Sequence, residues 1–120
     1  MIQRIEIWHA EYNLQHKDTL RELPEEKAIF GVFGIVNDEP ANCRYIGETD
    51  SLHTAIKDLF REPANEGLKK FFQGPWIKML QFELLPESSR ENRLELVKDW
   101  ETKYIPKIDE EGEYPGYYTD

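Results

Sequence analysis

Apolar residues along this chain change their spacing several times, and each change marks an element. Ala28-Ile29-Phe30-Gly31-Val32-Phe33-Gly34-Ile35-Val36 is a nearly continuous apolar run, rich in β-branched and aromatic residues. Such a run predicts a strand covered on both faces. Asn37-Asp38-Glu39-Pro40 ends it in a turn, and Cys43-Arg44-Tyr45-Ile46-Gly47-Glu48 reads as a second strand. So short a connection makes the two antiparallel neighbours. Leu52, Ala55, Ile56, Leu59 and Phe60 then recur at helical spacing, giving one apolar stripe to lie on the sheet. Thr49, Asp50 and Ser51 supply candidate N-cap oxygens, and Arg61-Glu62-Pro63 ends the helix. Asn65 to Phe72 predicts a second, short helix stopped at Gly74-Pro75, and Trp76 to Pro86 a further strand.

Ser88 or Ser89 opens the last long element. Glu91 stands three residues after Ser88 in a capping-box pattern. Leu94, Val97, Trp100, Tyr104 and Ile105 form the apolar face of this helix, which Pro106 ends. Upstream, Ile2, Ile5, Ile7 and Trp8 hint at a short N-terminal strand, residues 10 to 22 read as a loop, and Leu23-Pro24-Glu25-Glu26 reads as a break. The expectation is one α+β domain whose small mixed or antiparallel, three-stranded central sheet is flanked by helices. Residues 1–27 form an N-terminal extension, 28–106 the core and 107–120 a tail holding Tyr114, Tyr117 and Tyr118.

A chain of 120 residues fits one domain, and a domain of this size buries roughly two-thirds of its unfolded surface. No apolar run approaches the ~20 residues of a membrane span, and the first residues lack a basic start followed by an apolar stretch. The single cysteine, Cys43, excludes an internal disulfide and a cysteine-rich zinc site. A cytoplasmic location is the expectation. Charge narrows the choice of partner. With 24 acidic against 15 basic residues the net charge is −9, and Lys69-Lys70 is the only adjacent basic pair. Nucleic-acid binders usually show a basic surface that displaces phosphate counterions. A protein partner is therefore expected ahead of bare DNA or RNA.

The order of residues from Leu23 to Phe60 resembles the GIY-YIG nuclease domain. That family reads Leu-Pro, then Gly-(Ile/Val)-Tyr on one strand, Tyr-(Ile/Val)-Gly on the next, a Thr or Ser, and a Leu-x-x-Arg helix. The corresponding residues are Leu23-Pro24, Gly31-Val32-Phe33, Tyr45-Ile46-Gly47, Thr49 and Leu52-His53-Thr54-Ala55. The resemblance implies a site built from aromatic hydroxyls, an arginine fork and a glutamate that holds Mg²⁺ against a scissile phosphate.

On that resemblance Tyr45 takes the place of the second tyrosine, which orients or deprotonates a water. Phe33 replaces the first tyrosine and keeps only the ring. Gly31 and Gly47 are the motif glycines, which let the backbone pack closely. Ala55 stands where the arginine belongs, and loss of such a charge costs several powers of ten in rate. Lys57 and Arg61 lie on other faces of the helix and do not replace it. Leu59 stands where many members have histidine. Glu101, in Glu101-Thr102-Lys103-Tyr104-Ile105, fits the local pattern of the metal-binding glutamate, with Glu95 second. The expectation is a domain that has lost cleavage and acts as a binding or interaction module. The alternative is a divergent Mg²⁺-dependent phosphodiesterase acting on DNA or RNA, drawing its cation from Lys69, Lys70 or a partner. His9, His16 and His53 have no metal-binding spacing, with His53 expected at the surface; Cys43 and the tryptophans read as packing residues.

Overall fold

The computed structural model describes residues 1–7, 23–73, 78–104 and 106. In chain order the elements are β1 (Ile2–Ile7), β2 (Ala28–Val36), β3 (Glu39–Thr49), α1 (Leu52–Arg61), α2 (Glu66–Gln73), β4 (Lys78–Leu84) and α3 (Arg90–Tyr104). The class is α+β, as expected, but the described sheet has four strands rather than three, in the order β1-β4-β2-β3. Every neighbouring pair is antiparallel. The extra strand is β1, whose residues 2–7 add to the free edge of β4 and draw the start of the N-terminal extension into the sheet. No described helix is long and apolar enough to cross a membrane. The expected loop at 10–22, Trp8, Trp76, His9, His16, the Gly74-Pro75 stop, Ile105 and the tail tyrosines lie outside the described residues.

Strand β2 is the centre of the molecule, paired with β3 on one side and β4 on the other. Its side chains alternate between the two faces, as strand geometry requires. Ala28, Phe30 and Val32 face one way and join Leu80 and Phe82 of β4 in a core roofed by α1 and α2. The helices contribute Leu52, Ile56 and Leu59 from α1 and Leu68, Phe71 and Phe72 from α2. Ile29 and Phe33 face the other way, where Cys43, Ile46 and Met79 pack under Val97 and Trp100 of α3. The continuous apolar run of β2 thus serves two cores.

Strand β3 is longer than its sequence pattern suggests, because it begins at Glu39 and runs through Pro40. Asn37 and Asp38 both take positive φ, 53° and 65°, in the two-residue turn that joins it to β2. Such turns match the twist of a hairpin and favour Asn and Asp. Pro40 is tolerated because β3 is an edge strand. The pairing then slips. Val32 lies opposite Tyr45 and Gly34 opposite Ala41, so three residues of β3 face one of β2. Asn42, at φ 52°, absorbs the bend. Beyond it Cys43 enters the α3 core, while the Arg44 guanidinium lies 5.6 Å from the Phe71 ring in the other layer.

Helix α3 is fastened to the end of β3 by one buried cation. Arg93, only 1% exposed, donates from Nε to Glu48 at 2.9 Å and from Nη2 to Asp50. Its Nη1 donates to both the carbonyl and the hydroxyl of Ser88 at 3.1 Å. Ser88 is therefore occupied here and does not cap α3. Ser89 does, accepting from the Asn92 amide at 3.1 Å, so the expected Ser88–Glu91 capping box is replaced by a cap one residue later. Arg93→Met removes every one of these bonds and leaves Glu48 with Arg90 alone, 3.3 Å away, and Asp50 to water, so it lowers the unfolding free energy by about 2 kcal/mol, the scale of charge-assisted hydrogen bonds. Urea titration of the two proteins checks this, and a loss of only about 0.5 kcal/mol, typical of surface changes, contradicts it.

Candidate functional site

The two glycine–aromatic motifs meet in the β2–β3 hairpin, and the structure shows what each glycine does. A Cβ added to Gly31 would stand 2.7 Å from Cε1 of Phe33, so the Phe33 ring lies over the bare backbone of Gly31. A Cβ added to Gly47 would stand 3.0 Å from both the Phe30 and Tyr45 rings. Each glycine therefore seats rings on its own face of the sheet. Tyr45 stacks on Phe30 with centroids 5.9 Å apart and packs half-buried against the core beneath α1 and α2. Phe33 lies on the opposite face, 5.0 Å edge-on to Tyr104 of α3. The two aromatic positions of the motifs thus point into different layers.

Ala55 is half-buried and packs against the same core as Tyr45. Its helix is positioned by the segment before β2. Leu52 donates to the Glu26 carbonyl at 2.9 Å and His53 to that of Pro24 at 3.2 Å. The Thr54 amide donates to the Glu25 carboxylate at 2.8 Å, and the Thr54 hydroxyl bonds its other oxygen. These bonds satisfy the free amides of a helix N-terminus, so Leu23-Pro24-Glu25-Glu26 is a cap as well as a break. Ser51 holds the N-cap position without a side-chain cap bond, and Thr49 accepts from the Ser51 amide at 2.9 Å. His53 is half-buried rather than at the surface, its Nδ1 3.1 Å from the Leu23 carbonyl.

Glu101 and Glu95 both lie exposed on α3, the helix that packs on the face opposite Tyr45. The described residues contain no group of three carboxylate, histidine or cysteine side chains able to hold a metal ion. A lone exposed carboxylate on the other side of the sheet does not fit an ion held beside Tyr45. Lys69 and Lys70 are exposed on α2. Cys43 is 2% exposed, and burial pushes its thiol up to about 12, which keeps it protonated and unreactive at neutral pH.

Among the described residues, four buried polar side chains stand outside the motif positions: Arg44, Lys78, Gln81 and Arg93. Lys78 and Arg44 approach the Phe71 ring, Nζ at 5.9 Å and the guanidinium carbon at 5.6 Å, close enough for cation–π attraction. Burial lowers the Lys78 ammonium to about 8. Gln81 accepts from Arg4 Nε at 2.8 Å and donates to the Tyr104 hydroxyl at 3.0 Å, linking the edge strand to α3. The sequence signal for a buried Arg44 is Asn42, a residue type that tolerates the left-handed backbone of a bulge. Lys78 and Gln81 alternate normally along β4, and nothing in their spacing marks them as buried.

Comparison of this chain with protein-family models, with curated proteins and with solved structures gives no significant match. The likeness to GIY-YIG domains rests on the order and spacing of its own residues.

The cap on α1 has a pH signature. The Thr54 hydroxyl and then the Thr54 amide hold the Glu25 carboxyl below its ordinary range. A depressed carboxylate adds stability above its unfolded value, and that stability is lost as pH falls through the folded value. Glu25→Gln therefore melts at a lower temperature than wild type at pH 7, and the gap closes on acidification below the ordinary glutamate value of about 4.3. Thermal unfolding of both proteins across pH checks this, and a gap independent of pH contradicts it.

Proposed function

We propose that this chain is a GIY-YIG-like domain that no longer cleaves phosphodiesters and serves as a binding module for a protein partner. The observation that carries this reading is the division of the motif positions between two layers. Tyr45 and Ala55 pack under α1 and α2, whereas Phe33 packs under α3 and Glu101 lies exposed on that helix. A phosphate bound at Tyr45 would meet neither a carboxylate-held metal nor an arginine fork. Arg44 follows Tyr45 into the same layer, but at 2% exposed it is a core cation rather than one offered to a substrate. The net charge of −9 supports a protein partner over bare nucleic acid, whose phosphates such a surface repels.

The divergent phosphodiesterase is the competing reading, and one assay separates the two. Plasmid DNA, single-stranded DNA and RNA are incubated with Mg²⁺ or Mn²⁺ and with wild type, Tyr45→Phe or Glu101→Ala, all purified identically. The binding-module reading expects no cutting, or equal trace cutting by all three proteins. Cutting by wild type that disappears in both variants overturns it and establishes a working site without the arginine.

A further inference from the structure

We propose that the first turns of α1 and α3, which lie on opposite faces of the sheet, are held in one closed hydrogen-bonded circuit and open together as a single unit. A partner seated on the start of either helix is then felt at the other. The coupling is independent of whether the domain cleaves nucleic acid.

The sheet register brings both helix starts to one end. Ala28 lies opposite Thr49 of β3 and opposite Leu84 of β4. Lys27, Asp50 and Leu85 are the next residues beyond, so the strap before β2, the turn into α1 and the turn into α3 leave the sheet side by side. The Leu85 amide donates to the Lys27 carbonyl at 2.7 Å and ties the strap to the turn before α3. The Leu85 carbonyl in turn accepts from Ser88, from its amide at 3.0 Å and its hydroxyl at 2.6 Å. Arg93 reaches from α3 to both turns, donating to Ser88 and to Asp50, and to Glu48 at the end of β3. Asp50 precedes Ser51, whose carbonyl accepts from the Ala55 amide at 2.9 Å in the first turn of α1. The strap closes the ring, since Glu26 takes up the Leu52 amide at 2.9 Å and Glu25 the Thr54 amide at 2.8 Å.

Packing alone gives the two helices no reason to open together, because α1 belongs to one core and α3 to the other. The polar connections do. A helix start must find partners for its first amides, and Ser51 makes no side-chain cap bond, so α1 draws its caps from the strap. Release of the strap therefore frays α1, and Leu85 ties that strap to the turn before α3. On the α3 side, the buried Arg93 commits its donors to Glu48, Asp50 and Ser88. Unwinding the first turn of α3 carries Arg93 away from all three. That breaks charge-assisted bonds, the stronger kind, and frees the turns into both helices at once. Residues joined in this way form a cooperative unit that opens at a free energy below that of global unfolding.

Hydrogen exchange of the full chain, read amide by amide by nuclear magnetic resonance along a series of low urea concentrations, tests the coupling. The reporters are the Ala55 amide in α1, the Arg93 amide in α3, which donates to the Ser89 carbonyl at 3.1 Å, and Leu80 in the buried centre of β4. In wild type, Ala55 and Arg93 are expected to share one protection factor and one urea slope, both smaller than those of Leu80. Glu25→Ala removes a cap of α1 and is expected to speed exchange at Ala55 by about fivefold, and at Arg93 by the same factor. Ser89→Ala removes the cap of α3 and is expected to speed both amides by about fivefold from the other side. A cap variant that speeds exchange only in its own helix overturns the proposal, as do different urea slopes for Ala55 and Arg93 in wild type. One protection factor and one slope for all three amides overturns it equally, because the helix starts then open only with the whole protein.

Discussion

The structure depends on the pairing of β2 along both of its edges. Once β3 and β4 take up the backbone groups of Ala28–Val36, its side chains can leave the sheet only through two faces, and alternation assigns them without further choice. Phe30 and Val32 are committed to the α1–α2 layer, and Ile29 and Phe33 to the α3 layer. The register carries the assignment to β3, placing Tyr45 beside Val32 and Gly47 beside Phe30. A one-residue slip would turn every one of these side chains over and set each apolar group against the core shaped for the other. Two packed cores, one on each side, hold the register where it is.

That constraint gives the motif residues a structural explanation. A glycine two positions from an aromatic on one strand leaves a bare strip of backbone for the ring to cover, as Phe33 covers Gly31 and as Tyr45, with Phe30, flanks Gly47. Glycine costs conformational entropy in a strand, roughly 0.5–1 kcal/mol against alanine, and the seated rings offset it by burial and by stacking. The same geometry that makes the hairpin compact sends its two aromatics to opposite faces. A site that needs both rings beside one phosphate is not assembled by this register.

Much of the fold is legible in the sequence because the signals are periodic or chemically specific. The apolar run of β2, the helical stripe of Leu52, Ile56 and Leu59, and the length of α3 all follow from spacing. The fourth strand is visible only as scattered isoleucines, since an exposed edge strand needs no clean alternation; three of its residues, Gln3, Arg4 and Glu6, are polar and exposed. The extension of β3 to Glu39 is hidden by Pro40 and Asn42, residues that ordinarily break strands and here sit at an edge and a bulge. Of the two serines the sequence offers as the cap of α3, the structure uses Ser89, and the Ser88–Glu91 capping box does not form because Ser88 is recruited by Arg93, a partner that only the tertiary structure reveals. The candidate site is the least legible part. Motif spacing fixes which residues lie on neighbouring strands, but the bulge at Asn42 and the placement of α3 decide which layer each occupies.

Separation of the two motif aromatics into different layers is the claim on which the functional reading turns, and ring-to-ring nuclear Overhauser contacts test it most directly. With the aromatic residues selectively labelled, contacts are predicted between Phe30 and Tyr45 and between Phe33 and Tyr104, and none between Phe33 and Tyr45. A direct Phe33–Tyr45 ring contact would place both on one face and contradict it.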